Sequence, residues 1–293
     1  MIVITGSESF IGRRLTAQLG AAAIPWLGID STADGARGVC ADIRDPEIVR
    51  HIPESADAIV HLAAISRDAD CRANPRAAFD VNVGGTINLI EITRQRRVRQ
   101  FIFASSEWVY GDVANADTQK EDSVIDASKV TSEYALTKIC GERLLAAEFQ
   151  RGGIPAATVL RFGIVYGPRD RNWSAVEALH HAVHTKPLVE VRGSLRTSRR
   201  FIHVEDVASG IRCALNRRGF EIFNLSGDRL ISLGEIIEAS SNLAGRSPQV
   251  AEFDAGAVSI RNPDNGLARQ KLQWNPRYSL RDGLAGLAVS HAG

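Results

Sequence analysis

Short apolar runs alternate with helix-length segments along the first two thirds of this chain, and that rhythm admits few folds. Ile2-Val3-Ile4 opens the pattern, and Thr5 to Gly12 turns into a helix expected over Arg13 to Leu19. Further strands are expected at Ile24 to Ile29, Val39 to Ile43, Ala58 to Ala64, Phe101 to Ala104 and Ala157 to Arg161. Helices are expected at Phe79 to Thr93 and Ser132 to Phe149. Continuous apolar runs separated by helices belong to a parallel sheet covered on both faces. The expected fold class is therefore α/β, a doubly wound parallel sheet.

Three places in that frame carry chemistry. The turn Thr5-Gly6-Ser7-Glu8-Ser9-Phe10-Ile11-Gly12 joins a strand to a helix, where free N–H groups can face a phosphate. Its glycines are Gly6 and Gly12, with Ser9 where a G-x-x-G-x-x-G variant has a middle glycine. Taken alone, the turn reads equally as a plain strand-to-helix connection. The next strand ends at Asp30, eighteen residues after Gly12, where an acid can accept hydrogen bonds from ribose hydroxyls and repel a 2′-phosphate. That favours NAD over NADP, with Arg37 the one nearby residue that argues the other way. Asp42 and Ile43 stand where they could frame an adenine, and Asp42 reads as well as a helix cap ahead of Pro46. His61, inside an apolar run, reads as a core histidine.

The second place is the carboxyl end of the strand at 101–104, which delivers Ser105, Ser106 and Glu107. Ligands of open parallel sheets sit at such ends. Ser106 can bond a reacting hydroxyl or carbonyl, or cap a turn. The third is Tyr134-Ala135-Leu136-Thr137-Lys138, whose phenol and ammonium project from one helix face a turn apart. An ammonium beside a phenol favours the phenolate, making Tyr134 a candidate acid/base. The alternative is a surface tyrosine and a solvated lysine. Gly84 and Gly85 each cost their helix roughly 1 kcal/mol, and close packing is the expected reason.

Composition bounds the rest. The 293 residues carry a net charge of +1 with 24% charged, which gives no sign of a nucleic-acid surface. Arg94-Gln95-Arg96-Arg97 reads as a solvated helix end. Cys40, Cys71, Cys140 and Cys213 form no C-x-x-C pair, favouring reduced thiols, a cytoplasmic location and no metal site. The opening run leaves no room for a signal peptide, and no apolar run approaches a membrane span. After Gly167 the rhythm changes to basic clusters over 169–200. A helix is then expected at Val207 to Leu215, a strand at Glu221 to Leu225 and a helix at Leu233 to Ala244, with irregular chain until Leu284.

Together these stretches resemble the extended short-chain dehydrogenases/reductases, the NAD-dependent epimerase/dehydratase family acting on nucleotide sugars. The resemblance rests on TGSESFIG (5–12), Asp30, ADIRD (41–45), HLAA (61–64), NVGGTINL (82–89), FASSEWVYG (103–111), YALTK (134–138), LRFGIVYGPR (160–169), RRFIHVEDVA (199–208) and LQWNPRYSLRDGL (272–284). It implies Tyr134 as catalytic base, Lys138 as its partner and Ser106 as the third catalytic residue. It implies a cofactor site at Gly6, Ser9, Phe10, Ile11, Gly12, Asp30, Asp42, Ile43, Leu62, Ala63, Ala64, Asn82, Tyr134 and Lys138. Ser106, Glu107, Asn172 and Arg199 are implied at the substrate, with Arg199 on its diphosphate. Residues 1–166 would form the NAD-binding Rossmann domain, rejoined by 201–226. A smaller substrate-binding lobe would cover 167–293, mainly 167–200 and 227–293. A homodimer through the helices at 79–94 and 132–149 is also implied.

Three departures stand out: Ser9 for a glycine, Ile164 for a usual asparagine, and no R-P-G-D arginine around Ala251 to Asp254. Trp108 occupies the position, two after Ser106, where family dehydratases and decarboxylases carry an acid. The expected activity is 4-epimerisation of a nucleotide sugar. The alternatives are a dehydratase, decarboxylase or reductase of the same family, a free-sugar dehydrogenase, or a non-catalytic NAD-binding regulator.

Overall fold

The computed structural model describes residues 1–34, 38–113 and 116–287, so Arg37 lies outside the described residues. Seven strands form the central sheet: β1 (Ile2–Thr5), β2 (Trp26–Asp30), β3 (Gly38–Cys40), β4 (Ala58–His61), β5 (Phe101–Ser106), β6 (Ala156–Phe162) and β7 (Gly219–Leu225). Their spatial order is β7-β6-β5-β4-β1-β2-β3, and every pairing is parallel. The chain first builds outward from β1 to β3, then returns to lay β4 on the other side of β1. That reversal opens a crevice between the carboxyl ends of β1 and β4, where Thr5 pairs with His61.

Successive side chains of a strand face opposite sides of the sheet. Ile2 and Ile4 thus join Leu15, Leu19, Val60, Ile102, Leu160, Phe223 and Trp274 in one core. Val3 joins Ile29, Ile59, Phe101, Phe103, Leu145 and Val159 in the other. The first core is closed by α1 (Phe10–Ala21), together with a helix at Val204–Cys213 named below; the second by α2 (Gly85–Gln95) and α3 (Glu133–Gln150). A third cluster includes Tyr166, Val176, Val183, Val189, Phe201, Ile236 and Leu284. It sits among α4 (Ala175–Thr185), α6 (Leu233–Ala244) and the parallel pair Leu188–Arg192 with Gln249–Phe253. Between α4 and α6 in sequence, α5 (Val204–Cys213) packs on α1. No helix among the described residues is long and apolar enough to cross a membrane.

Several elements differ from the sequence expectation for local reasons. α1 starts at Phe10, because Ser9 caps it by accepting the Gly12 N–H at 3.1 Å. β3 stops at Cys40, leaving Asp42 and Ile43 in the following loop. The helix expected from Phe79 is broken: Pro75–Phe79 runs into a π-helical turn at Asp80–Gly84 before α2 begins. Close packing explains one glycine of the pair. A Cβ on Gly85 would lie 2.4 Å from Ile43 Cδ1, whereas one on Gly84 would meet nothing within 4 Å. α5 begins at Val204, three residues early, with His203 as its cap. The stretch expected to be irregular holds the strand Gln249–Phe253 and helices at Gly266–Leu272 and Leu280–Ala285. Four of that strand's five residues are exposed, so it carries no apolar pattern to read.

Candidate active site

α3 is launched by Ser132, whose Oγ accepts the Ala135 N–H at 3.2 Å. It runs along the second core with Tyr134, Lys138 and Glu142 on one face, a turn apart. Glu142 anchors that face. Its carboxylate accepts from Arg161 Nε at 2.9 Å, Arg161 Nη2 at 2.7 Å and Ser105 Oγ at 2.5 Å, all buried. One turn back, Lys138 is buried with Nζ 5.0 Å from the Phe103 ring and 5.6 Å from the Tyr134 ring. Ser106, at the end of β5, stands beside the half-buried Tyr134, and its Oγ also accepts from Trp108 N at 3.3 Å. Ser106 thus caps the turn at 107–110, one of the two readings of the sequence, while its hydroxyl lies at the cleft beside Tyr134.

The electrostatics of the pair reverse the simple expectation. Burial pushes the Tyr134 phenol up to about 12, outweighing the Ser106 hydroxyl that pulls it down. Burial also brings the Lys138 ammonium down to about 8, against the upward pull of Cys71 and Glu142. Desolvation disfavours both charged forms and is the largest cause of each shift.

The cofactor-side residues gather at the β1–β4 crevice. Gly6 has φ +76°, and a Cβ there would stand 2.6 Å from Ala63 N. A Cβ on Gly12 would stand 2.2 Å from Gly6 O. Ser9, in the place of a glycine, is spent on the cap of α1. The N–H groups of Phe10 and Ile11 are those a helix start leaves without an intrahelical acceptor. Buried Ser7 Oγ has no protein partner. Asp30 accepts from Glu8 N at 3.0 Å, Thr32 N at 2.9 Å and Thr32 Oγ1 at 2.8 Å. A backbone cradle too narrow for side chains, a helix start and an acid at the tip of β2 fit a dinucleotide.

Ile43, Leu62, Ala63 and Ala64 line the same wall. Asp42 also lines it but pairs with Arg44, whose hydrogen bond holds its carboxyl below the ordinary value. The cap ahead of Pro46 is Asp45, which accepts the Glu47 N–H at 2.9 Å. Asn82 is buried off the wall: its amide bonds Ile65 N at 2.8 Å, Ile65 O at 2.9 Å and Thr137 Oγ1 at 3.1 Å. It ties the loop after β4 to α3. His61 is 2% exposed, between Thr5 Oγ1 at 2.7 Å and Thr86 Oγ1 at 3.0 Å, and burial brings its imidazole down to about 3. It is a core histidine.

One cleft of about 1670 Å³ runs from Asp30 past Ser106, Tyr134 and Lys138 to Arg199. That exceeds the roughly 300–1,000 Å³ of a pocket for one small ligand, leaving space for two in line. At its far end Arg199 donates through Nη1 to Ser259 O at 2.7 Å and through Nη2 to Ser259 Oγ at 2.5 Å. Arg261, missed in the sequence, lies beside it with its guanidinium 4.0 Å from the Trp108 ring. Its Nε and Nη1 are buried without a hydrogen-bond partner. Arg261-Asn262-Pro263-Asp264 keeps Arg, Pro and Asp in the order of the R-P-G-D sought near residue 251. Glu107 does not reach the cleft: it is wholly buried behind the two arginines. Asn172 is exposed at the mouth, in a left-handed turn, accepting from Arg67 Nη1 at 3.2 Å. Ile164 lines the wall as an apolar contact.

A doubly wound sheet with a dinucleotide cradle opening onto a Ser-Tyr-Lys group defines a dinucleotide-dependent enzyme. The model of the NAD dependent epimerase/dehydratase family matches residues 2–226, and the chain belongs to that family, whose cofactor is NAD. The UDP-glucuronate 4-epimerase of Thermodesulfobacterium geofontis is 29% identical, over 78% of this chain and 71% of that protein. An uncharacterized UDP-glucose epimerase of Bacillus subtilis, YtcB, is 32% identical over 79% of this chain and 73% of its own. Among solved structures, MoeE5 in complex with UDP-glucuronic acid and NAD superposes with a TM-score of 0.86 at 27% identity, covering 98% of this chain and 97% of MoeE5.

Proposed function

We propose that the protein is an NAD-dependent 4-epimerase of a nucleotide sugar. The observation that carries this reading is one continuous cleft in which Ser106, Tyr134 and Lys138 separate a dinucleotide cradle from a pair of arginines. Gly6, Gly12 and the start of α1 hold the pyrophosphate of NAD, and Asp30 its adenine ribose. When bound, NAD supplies an acceptor for the C4 hydrogen and a cationic ring whose field favours the Tyr134 phenolate. Ser106 orients the C4 hydroxyl, Tyr134 takes its proton, and Lys138 stabilises the phenolate and bonds the nicotinamide ribose. Arg199 and Arg261 grip the diphosphate through charge-assisted bonds. The 4-keto sugar turns about that fixed end, so that the hydrogen would return to the opposite face of C4 while Tyr134 hands its proton back to the C4 oxygen.

Trp108 disfavours dehydration, since an indole cannot move the C5 proton. Two arginines at the far end disfavour a free sugar as substrate. A regulator without chemistry would need none of Ser106, Tyr134 and Lys138. The same reading divides the chain into a cofactor domain and a substrate lobe, and pairs two copies through the segments 79–94 and 132–149, the first of which exposes Phe79 and Ile87. The test is mass spectrometry and chromatography of the products from UDP-glucose and UDP-glucuronic acid with the NAD-loaded enzyme. A new stereoisomer of unchanged mass supports the reading. Loss of water or of carbon dioxide overturns it.

A further inference from the structure

Glu107 is 0% exposed, and neither of its carboxylate oxygens has a hydrogen-bond partner. Buried polar groups are nearly always paired, so this one needs a reason. It faces two cations, Arg199 Nε at 3.4 Å and Arg261 Nη1 at 3.9 Å. Asp112 shares both arginines, at 3.7 Å from Arg199 Nη2 and 3.3 Å from Arg261 Nε. These are the charged groups that face Glu107: Arg199 from the strand Ser198–Arg199, Arg261 from the segment after Ser259, and Asp112 from the loop after the 107–110 turn. The Trp108 ring meets the Arg261 guanidinium at 4.0 Å and the Tyr134 ring, edge on, at 6.4 Å.

We propose that Glu107 is the internal counter-ion of an anion subsite formed by Arg199 and Arg261, and that a diphosphate docking there is accompanied by uptake of one proton at Glu107. The inference rests on the nucleotide-sugar reading of the cleft. Two cations are balanced in the protein by two carboxylates of unequal standing. Asp112 is 51% exposed and accepts from Ser259 Oγ at 2.7 Å. Glu107 is fully buried and accepts no hydrogen bond. Two more negative charges on the arginines leave an excess, and the carboxylate with least solvation gives way by taking a proton from solvent, –COO⁻ becoming –COOH.

Burial already lifts this carboxyl to about 7, against the downward pull of Arg199 and Arg261. A bound diphosphate cancels that pull and lifts it further. The sign follows: below about pH 7 Glu107 is already protonated and binding is insensitive to pH. Above it, each pH unit weakens binding by up to roughly tenfold. Glu107 is thus a positioning residue, holding two like charges side by side until the ligand arrives.

The probe is UDP-glucose, whose two phosphates each carry one charge across this range, so the ligand itself binds no proton. Calorimetry with the NAD-loaded enzyme between about pH 6 and pH 8, in buffers of different ionisation enthalpy, counts the protons taken up. The wild type should absorb an increasing fraction of one proton toward pH 8, with affinity falling. Glu107→Gln should bind with no uptake and a flat profile, and Glu107→Asp should restore uptake. The wild-type series decides even if a variant folds poorly. Binding without uptake, or uptake that persists in Glu107→Gln, overturns the proposal alone. Absence of UDP-glucose binding to the wild type overturns the nucleotide-sugar reading, and the subsite with it.

Discussion

Replacing Glu142 by Leu tests what holds the catalytic helix in register with the sheet. Arg161 is 2% exposed, and two of its nitrogens fork onto Glu142. Removing the carboxylate leaves a buried guanidinium with only Tyr110 OH and Glu121 O, and leaves Ser105 Oγ without its acceptor. Breaking a buried pair from one side costs roughly 3–5 kcal/mol, because the remaining charge has no water to return to. At roughly 2 cal/mol/K of unfolding entropy per residue, 293 residues convert that into a melting shift of roughly 5–8 °C. The double replacement Glu142→Leu with Arg161→Met removes both charges and should recover most of the loss. Urea unfolding followed by fluorescence and circular dichroism, with an unchanged slope, measures each variant. A loss below about 1 kcal/mol for Glu142→Leu, or a double variant as unstable as the two single losses summed, refutes the reasoning. A second readout follows from Glu142 lying one turn beyond Lys138 and raising its pKa. Without it Lys138 loses its proton at lower pH, and the pH profile of turnover should move the same way.

Tyr134→Phe should keep NAD and substrate affinity while lowering turnover by roughly 100-fold or more, the scale of a lost proton shuttle, as read by steady-state kinetics. Asp30 should make the protein bind NAD more tightly than NADP in calorimetry, and Asp30→Ala should narrow that gap. Arg199→Ala and Arg261→Ala should each weaken UDP-glucose binding by at least tenfold and leave NAD affinity unchanged, which separates the two ends of the cleft in one titration series.

The sheet was legible because its strands are buried on both faces and therefore read as mostly apolar runs, as in Ala58–His61 and Ala156–Phe162. The Tyr134–Lys138 pair was legible because a helix makes neighbours of residues four apart. What escaped was set by contacts between distant segments. Arg261 meets Trp108 across the cleft, and no local pattern announces that. Glu107 follows Ser106 in sequence, yet its side chain turns away from the cleft, which only the 107–110 turn decides. The raised phenol and lowered ammonium depend on burial, which charge spacing alone does not reveal. Asn82 sits in a π-helical turn whose effect is to aim its amide at Ile65 and Thr137.

The position of β7 has a consequence for synthesis. β6 is buried along its whole length, and its outer edge is paired with β7, which the ribosome makes roughly sixty residues later. At roughly 5–20 residues per second, that interval is roughly 3–12 s. During it the nascent chain carries an apolar strand with an unpaired row of backbone donors and acceptors, the surface most prone to pair with a neighbouring chain. The stretch made in the meantime supplies no strand to this edge: α4 packs into a different core, and α5 covers a face of the sheet instead of pairing with β6. The sheet is completed only when Gly219–Leu225 emerges, so a pause or truncation before that point leaves every molecule with an open edge.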